Sequence, residues 1–105
     1  MNKIWEYRGR EYPFDITSDS CCVTVGNGLR DLRHELEGDE TERPRICRVI
    51  SGFFDKVFGS GEGCAICGMS DSAEEHISAY ISFIGFLCGQ IDEFSRIREE
   101  LVAHI

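Results

Sequence analysis

The apolar positions of residues 46–58 fall at Ile46, Val49, Ile50, Phe53, Phe54, Val57 and Phe58, alternately three and one apart. That interval repeats on one face of an α-helix. The opposite face carries Arg48, Ser51, Gly52, Asp55 and Lys56. Glycines at 59, 61 and 63 follow and end the helix, because glycine reaches left-handed geometry at little cost. The pattern predicts a helix over 43–58 with three phenylalanines on its buried stripe, each contributing about 1.5–3 kcal/mol of transfer free energy. The rest of the chain must cover that stripe.

Before it, Ile4-Trp5-Glu6-Tyr7 and Glu11-Tyr12-Pro13-Phe14 flank Arg8-Gly9-Arg10 and read as a β-hairpin within residues 1–16. With Arg8-Gly9 as a two-residue loop, Trp5 lies opposite Tyr12, and Tyr7 and Phe14 share their face. Pro13 makes its strand an edge. A hairpin this small is not stable alone, so its aromatic face needs a helix or the hairpin of another subunit. Cys22, Val25, Leu29, Leu32 and Leu36 then recur at threes and fours, predicting a helix over 18–37. Gly26-Asn27-Gly28 interrupts it at roughly 2 kcal/mol for two interior glycines. The alternative is a strand over 21–25, a turn at Asn27-Gly28 and a shorter helix.

Gly38 to Pro44 is a polar loop, and 62–68 is one short helical turn closed by Gly68. Ser70-Asp71-Ser72 caps a last helix over 71–105, with Glu74 and Glu75 in its first turn. Its apolar positions run from Ile77 to Ile105 with near-heptad spacing, and Phe83 and Phe86 widen the stripe so that its middle is buried on two sides. Gly85 and Gly89 are helix defects or mark a break near Gly89-Gln90. Past Gln90 the sequence turns charged and projects as a helical tail. The fold class is mainly α with a small β part (α+β): one domain over 1–105, an N-terminal hairpin followed by a three-helix antiparallel bundle with a long C-terminal helix.

Charge narrows the function. The chain carries −8 overall, and residues 17–42 hold two arginines against seven acids. With no strongly basic face, nucleic acid and anionic membrane surfaces are excluded as partners. No apolar run is long enough to span a bilayer, and the N-terminus lacks the charged-then-apolar order of a signal peptide. The expected location is the cytoplasm, where the six cysteines stay reduced and act as small buried hydrophobes.

Cys64-Ala65-Ile66-Cys67 is the sharpest local pattern, since a C-x-x-C pair supplies two zinc ligands or a redox dithiol. A structural zinc site needs two further ligands, and the sequence offers no second C-x-x-C and no paired histidines. A small zinc-binding regulatory or adaptor protein using Cys64 and Cys67 is therefore the alternative reading. The Gly-rich run at 59–63 follows a helix rather than a strand and lacks the phosphate-loop ending. No nucleophile with a base and an orienting group can be assembled, so neither an enzyme nor a cofactor is expected.

The order of these pieces resembles a known family. Tyr12-Pro13-Phe14-Asp15-Ile16, then Phe53-Phe54-Asp55 with Phe58-Gly59 and Gly61, then Ile66-Cys67-Gly68, are similar to the small tail assembly chaperone-like proteins of tailed phages and prophages. The resemblance spans residues 4 to about 90. It implies a non-enzymatic, mostly helical, self-associating protein that coats the tape-measure protein until tail-tube subunits displace it. The Gly26–Gly28 interruption and the charged tail lie outside the family pattern. From the residues, the expected partner-binding and self-association surface consists of Trp5, Tyr7, Tyr12 and Phe14 on the hairpin and Phe53, Phe54, Phe58, Phe83 and Phe86 on the helices, with exposed parts of the Ile77–Ile91 stripe. An acidic chain with such faces stays soluble while an apolar face engages another polypeptide.

Overall fold

The computed structural model describes residues 1–37 and 43–105, with residues 43 and 44 described by backbone alone. The order is β1 (Ile4–Tyr7), β2 (Arg10–Pro13), α1 (Asp19–Leu36), α2 (Arg43–Phe58), α3 (Glu62–Cys67) and α4 (Ala73–Ala103). The mainly helical fold with its N-terminal hairpin is the one the pattern predicts. The polar loop expected over 38–42 lies outside the described residues.

The hairpin has the expected register, Trp5 opposite Tyr12 and Tyr7 opposite Arg10. Arg8 and Gly9 both take positive φ, 51° and 78°, as a two-residue turn matched to strand twist requires. Arg8 sets its guanidinium over the Tyr7 ring and 4.0 Å from the Glu75 carboxylate, which offsets part of that backbone strain. The Phe14 N–H donates to the Lys3 carbonyl, so in the alternating ladder Pro13 occupies a position whose nitrogen faces outward and no ladder bond is lost.

α1 runs unbroken through Gly26-Asn27-Gly28. Tertiary packing overrides propensity here. Gly28 is buried, and a Cβ placed on it would come within 3.2 Å of the Phe53 ring, so the missing side chain is what lets α1 close on α2. Lys56 bonds Asp31 at 2.7 Å and the Arg45 guanidinium donates to the Glu35 carbonyl, which sets α1 and α2 antiparallel.

α3 does more than turn the chain. Gly63 sits against Ser51, and Cys67 lies beside Cys47 and Ser51, so α3 runs back along α2. The chain then enters α4 beside the start of α2, where the Cys47 thiol donates to the Asp71 carbonyl at 3.3 Å. Phe53 meets Tyr80, and Phe58 meets Phe83, further along both helices. α2 and α4 thus run in the same sense rather than antiparallel as expected for the bundle, because α3 first returns the chain along α2, and α2 is the element on which α1, α3 and α4 all pack.

At about 1.5 Å per residue, the 31 residues of α4 reach roughly 46 Å, and the molecule measures 51 × 32 × 21 Å. Its radius of gyration of 15.1 Å exceeds the roughly 13 Å of a compact chain this size, because α4 outruns the body. No helix among the described residues is long and apolar enough to cross a membrane.

Candidate interaction surface

Placement of the aromatic residues decides what surface is left. Trp5, Tyr12, Phe14, Phe53, Phe54 and Phe83 are all buried within the chain. The Trp5 ring stacks on Phe54 at 5.6 Å and meets Phe83 edge-on at 5.2 Å. Its indole N–H donates to the Ser82 hydroxyl at 3.2 Å. Tyr7, Phe58 and Phe86 are half-buried at the border of this cluster. The hairpin's aromatic face therefore lies on α2 and α4 of its own chain. Six of the nine aromatic residues expected to contact a partner are removed from the surface, because offset and edge-on ring packing between segments far apart in sequence stabilises the monomer itself.

Gln90 locks this arrangement. Its side chain is buried, its carbonyl accepts from the Ile16 N–H at 2.9 Å, and its amide donates to the Phe14 and Asn2 carbonyls at 2.7 and 2.8 Å. Of the two readings of Gly85 and Gly89, helix defects or a break near Gly89-Gln90, the first holds: α4 is continuous to Ala103. Replacing Gln90 by leucine keeps the bulk but strands a buried N–H and a buried carbonyl, at about 1–3 kcal/mol each. Q90L is expected to lower the urea midpoint and speed hydrogen exchange selectively in residues 2–16.

α4 carries two apolar series. One contains Ala79, Phe83, Leu87 and Gln90 and faces the body. The other, Ile77, Ile81, Cys88 and Ile91, is turned away from it, with Ile84 between the two and partly buried against the core. Ile81 is 63% exposed, and Ile77 and Ile91 are 39% and 44% exposed. Gly85 and Gly89 open onto empty space, with no atom within 4 Å of a Cβ built on either. From Ile77 to Ile91 there is no charged residue at all, in a chain of net charge −8. Contiguous apolar patches on protein surfaces are where partners, membranes or ligands bind. In the tail, exposed Ile97 and Leu101 carry on the spacing of the body-facing series through Leu87, Gln90 and Phe94, and only exposed Val102 falls on the outer one.

The cysteines separate by environment. Cys64 is exposed and Cys67 is buried, although they are three residues apart. Burial, followed by the neighbouring Cys47 and Cys64 thiols, pushes Cys67 up to about 11 from its ordinary 9.0. Burial and then the Asp71 carboxylate also raise Cys47. Among the described residues no three His, Cys, Asp or Glu side chains gather closely enough to hold a metal ion.

No protein-family model, no curated protein and no solved structure matches this chain. The surface must speak for itself.

A thiol test follows from the burial pattern. Ellman's reagent at neutral pH is expected to label Cys22 and Cys64 quickly and to leave Cys47 and Cys67 unmodified until the chain unfolds. Because the fold holds the Cys67 proton to about pH 11 while the unfolded chain releases it near 9.0, stability falls as pH rises between those values. A denaturation series across that range reads the slope.

Proposed function

We propose that this chain is a non-enzymatic assembly chaperone of the phage-tail type, which binds the tape-measure protein in the host cytoplasm and keeps it soluble while the tail is built. The observation that carries the reading is the uncharged, isoleucine-lined outer face of α4, held open along Ile77–Ile91 on an otherwise strongly acidic protein. The resemblance of the hairpin and the Phe53–Gly61 element to that family supplies the client. An apolar strip of this length suits an amphipathic helix laid alongside it. The surrounding acids steer a basic client toward it and repel other acidic chains.

Co-expression with the tape-measure protein tests this. The client is expected in the soluble fraction with the wild-type chain and in the pellet with I81E, a substitution on exposed surface that leaves the core untouched. A client that stays insoluble beside the wild-type chain overturns the reading.

A further inference from the structure

The outer seam of α4 is self-complementary in charge as well as apolar. Its apolar middle keeps intervals of four and three, Ile77 to Ile81 to Ile84 to Cys88 to Ile91, which is the spacing of a coiled-coil seam. The same spacing carried one step toward the N-terminus reaches Glu74, and carried two steps beyond Ile91 reaches Ser95 and then Arg98. Glu74 and Arg98 are both exposed. Neither has an opposite charge three or four residues away on its own helix, so neither is answered by the usual intrahelical pairing. They stand twelve residues, about 18 Å at the α-helical rise, on either side of the level of Phe86.

We infer that two copies of this chain pair through the outer faces of α4, antiparallel, about a two-fold axis at the level of Phe86. This rests on the reading of the chain as a chaperone and names the client-free state of the same strip, on which a client helix takes the place of the second copy. In that register Ile81 lies opposite the partner's Ile91, Ile84 opposite the partner's Cys88, and Glu74 opposite the partner's Arg98, twice over by symmetry. A parallel pairing sets Glu74 against the partner's Glu74 and Arg98 against the partner's Arg98, so charge selects the antiparallel one.

One further observation agrees. Ser95, Arg98, Glu99 and Val102 line a surface hollow of about 340 Å³. The hollow is shallow and open, and in this register it lies opposite the partner's Glu74, with Arg98 at the seam. The area sets the strength. An overlap from Glu74 to Arg98 is about 37 Å long on helices about 10 Å across. Over both copies that is on the order of 700 Å² of footprint, below the roughly 1,200–2,000 Å² of a stable interface, so the pair is weak and concentration-dependent.

Sedimentation velocity on the purified full chain, without client, tests the pairing. The wild type is expected as a dimer whose fraction rises with concentration. E74R and R98E each create two like-charge contacts per dimer and are expected to weaken it by on the order of tenfold or more, while E74R/R98E restores it. I81E, at the exposed centre, is expected to give a monomer with an unchanged circular dichroism spectrum. A wild type that stays monomeric as its concentration rises, a double variant no tighter than the single ones, or a dimer that survives I81E overturns the pairing. Because no client is present, a failure here leaves tape-measure binding to be judged by the co-expression result, and an insoluble client leaves the dimer standing.

Discussion

Replacing Gly63 by alanine is expected to be among the most damaging single substitutions in this protein, although it adds one methyl group. A Cβ at that position comes within 2.1 Å of the Ser51 carbonyl oxygen and 2.8 Å of the Ser51 Cα. Both obstacles are backbone, so no side chain can rotate out of the way. Relief requires α3 to lift off α2, which breaks the hydrogen bond from the Gly63 N–H to the Asp55 carboxylate, 2.7 Å long. Overpacking alone costs about 1–3 kcal/mol, occasionally more, and with a rigid obstacle and a lost charge-assisted bond the upper end applies. G63A is expected to cost at least about 3 kcal/mol in urea unfolding and to expose Cys67 to thiol reagents. Gly26 is the control with the opposite sign. It lies in the exposed interior of α1 with nothing within 4 Å of a built Cβ, so G26A is expected to stabilise by about 0.5–1 kcal/mol. If G63A matches wild type, α3 is not seated on α2.

The second large effect is expected at Phe83. Its side chain is fully buried and its ring lies 5.2 to 6.2 Å, centroid to centroid, from those of Trp5, Phe14, Phe53, Phe54, Phe58 and Phe86. It is the ring that joins hairpin, α2 and α4. F83A is expected to cost about 3–5 kcal/mol through lost transfer energy and the cavity left behind. A domain of this size has only about 5–15 kcal/mol in total, so the variant should unfold with a midpoint lowered by more than about 10 °C. F83L, which refills most of the volume, is expected to recover more than half of the loss. An F83A midpoint close to wild type would show that hairpin and helices do not share one core.

Neither site could be read fully in advance. Phe83 widens the apolar stripe of α4 and is, from the sequence, expected on the partner-binding surface; the hairpin folding onto α4 decides that it is buried. Gly63 belongs to a glycine-rich run whose local reading is helix termination. That reading holds for Gly59 and Gly61, which take φ of 120° and 87°. Gly63 is needed instead because another helix passes there, and no local pattern carries that information.

The same division runs through the whole protein. Local physics was enough for the hairpin and its register, because a two-residue turn with alternating aromatics admits few pairings. It was enough for α2, α3 and α4 as elements, and for an acidic chain with apolar stripes. It left α1 open at Gly26-Asn27-Gly28, because the cost of glycine is local while the contact of Gly28 with Phe53 is not. It also distributed the aromatic residues wrongly between interior and surface. Periodicity says that a stripe is apolar, not which neighbour covers it. The return of α3 along α2 and the folding of the hairpin onto α4 decide that Trp5 and Phe54 stack inside while Ile81 stays outside. Only the tertiary structure separates the two interleaved stripes of α4 into one that builds the core and one that stays exposed.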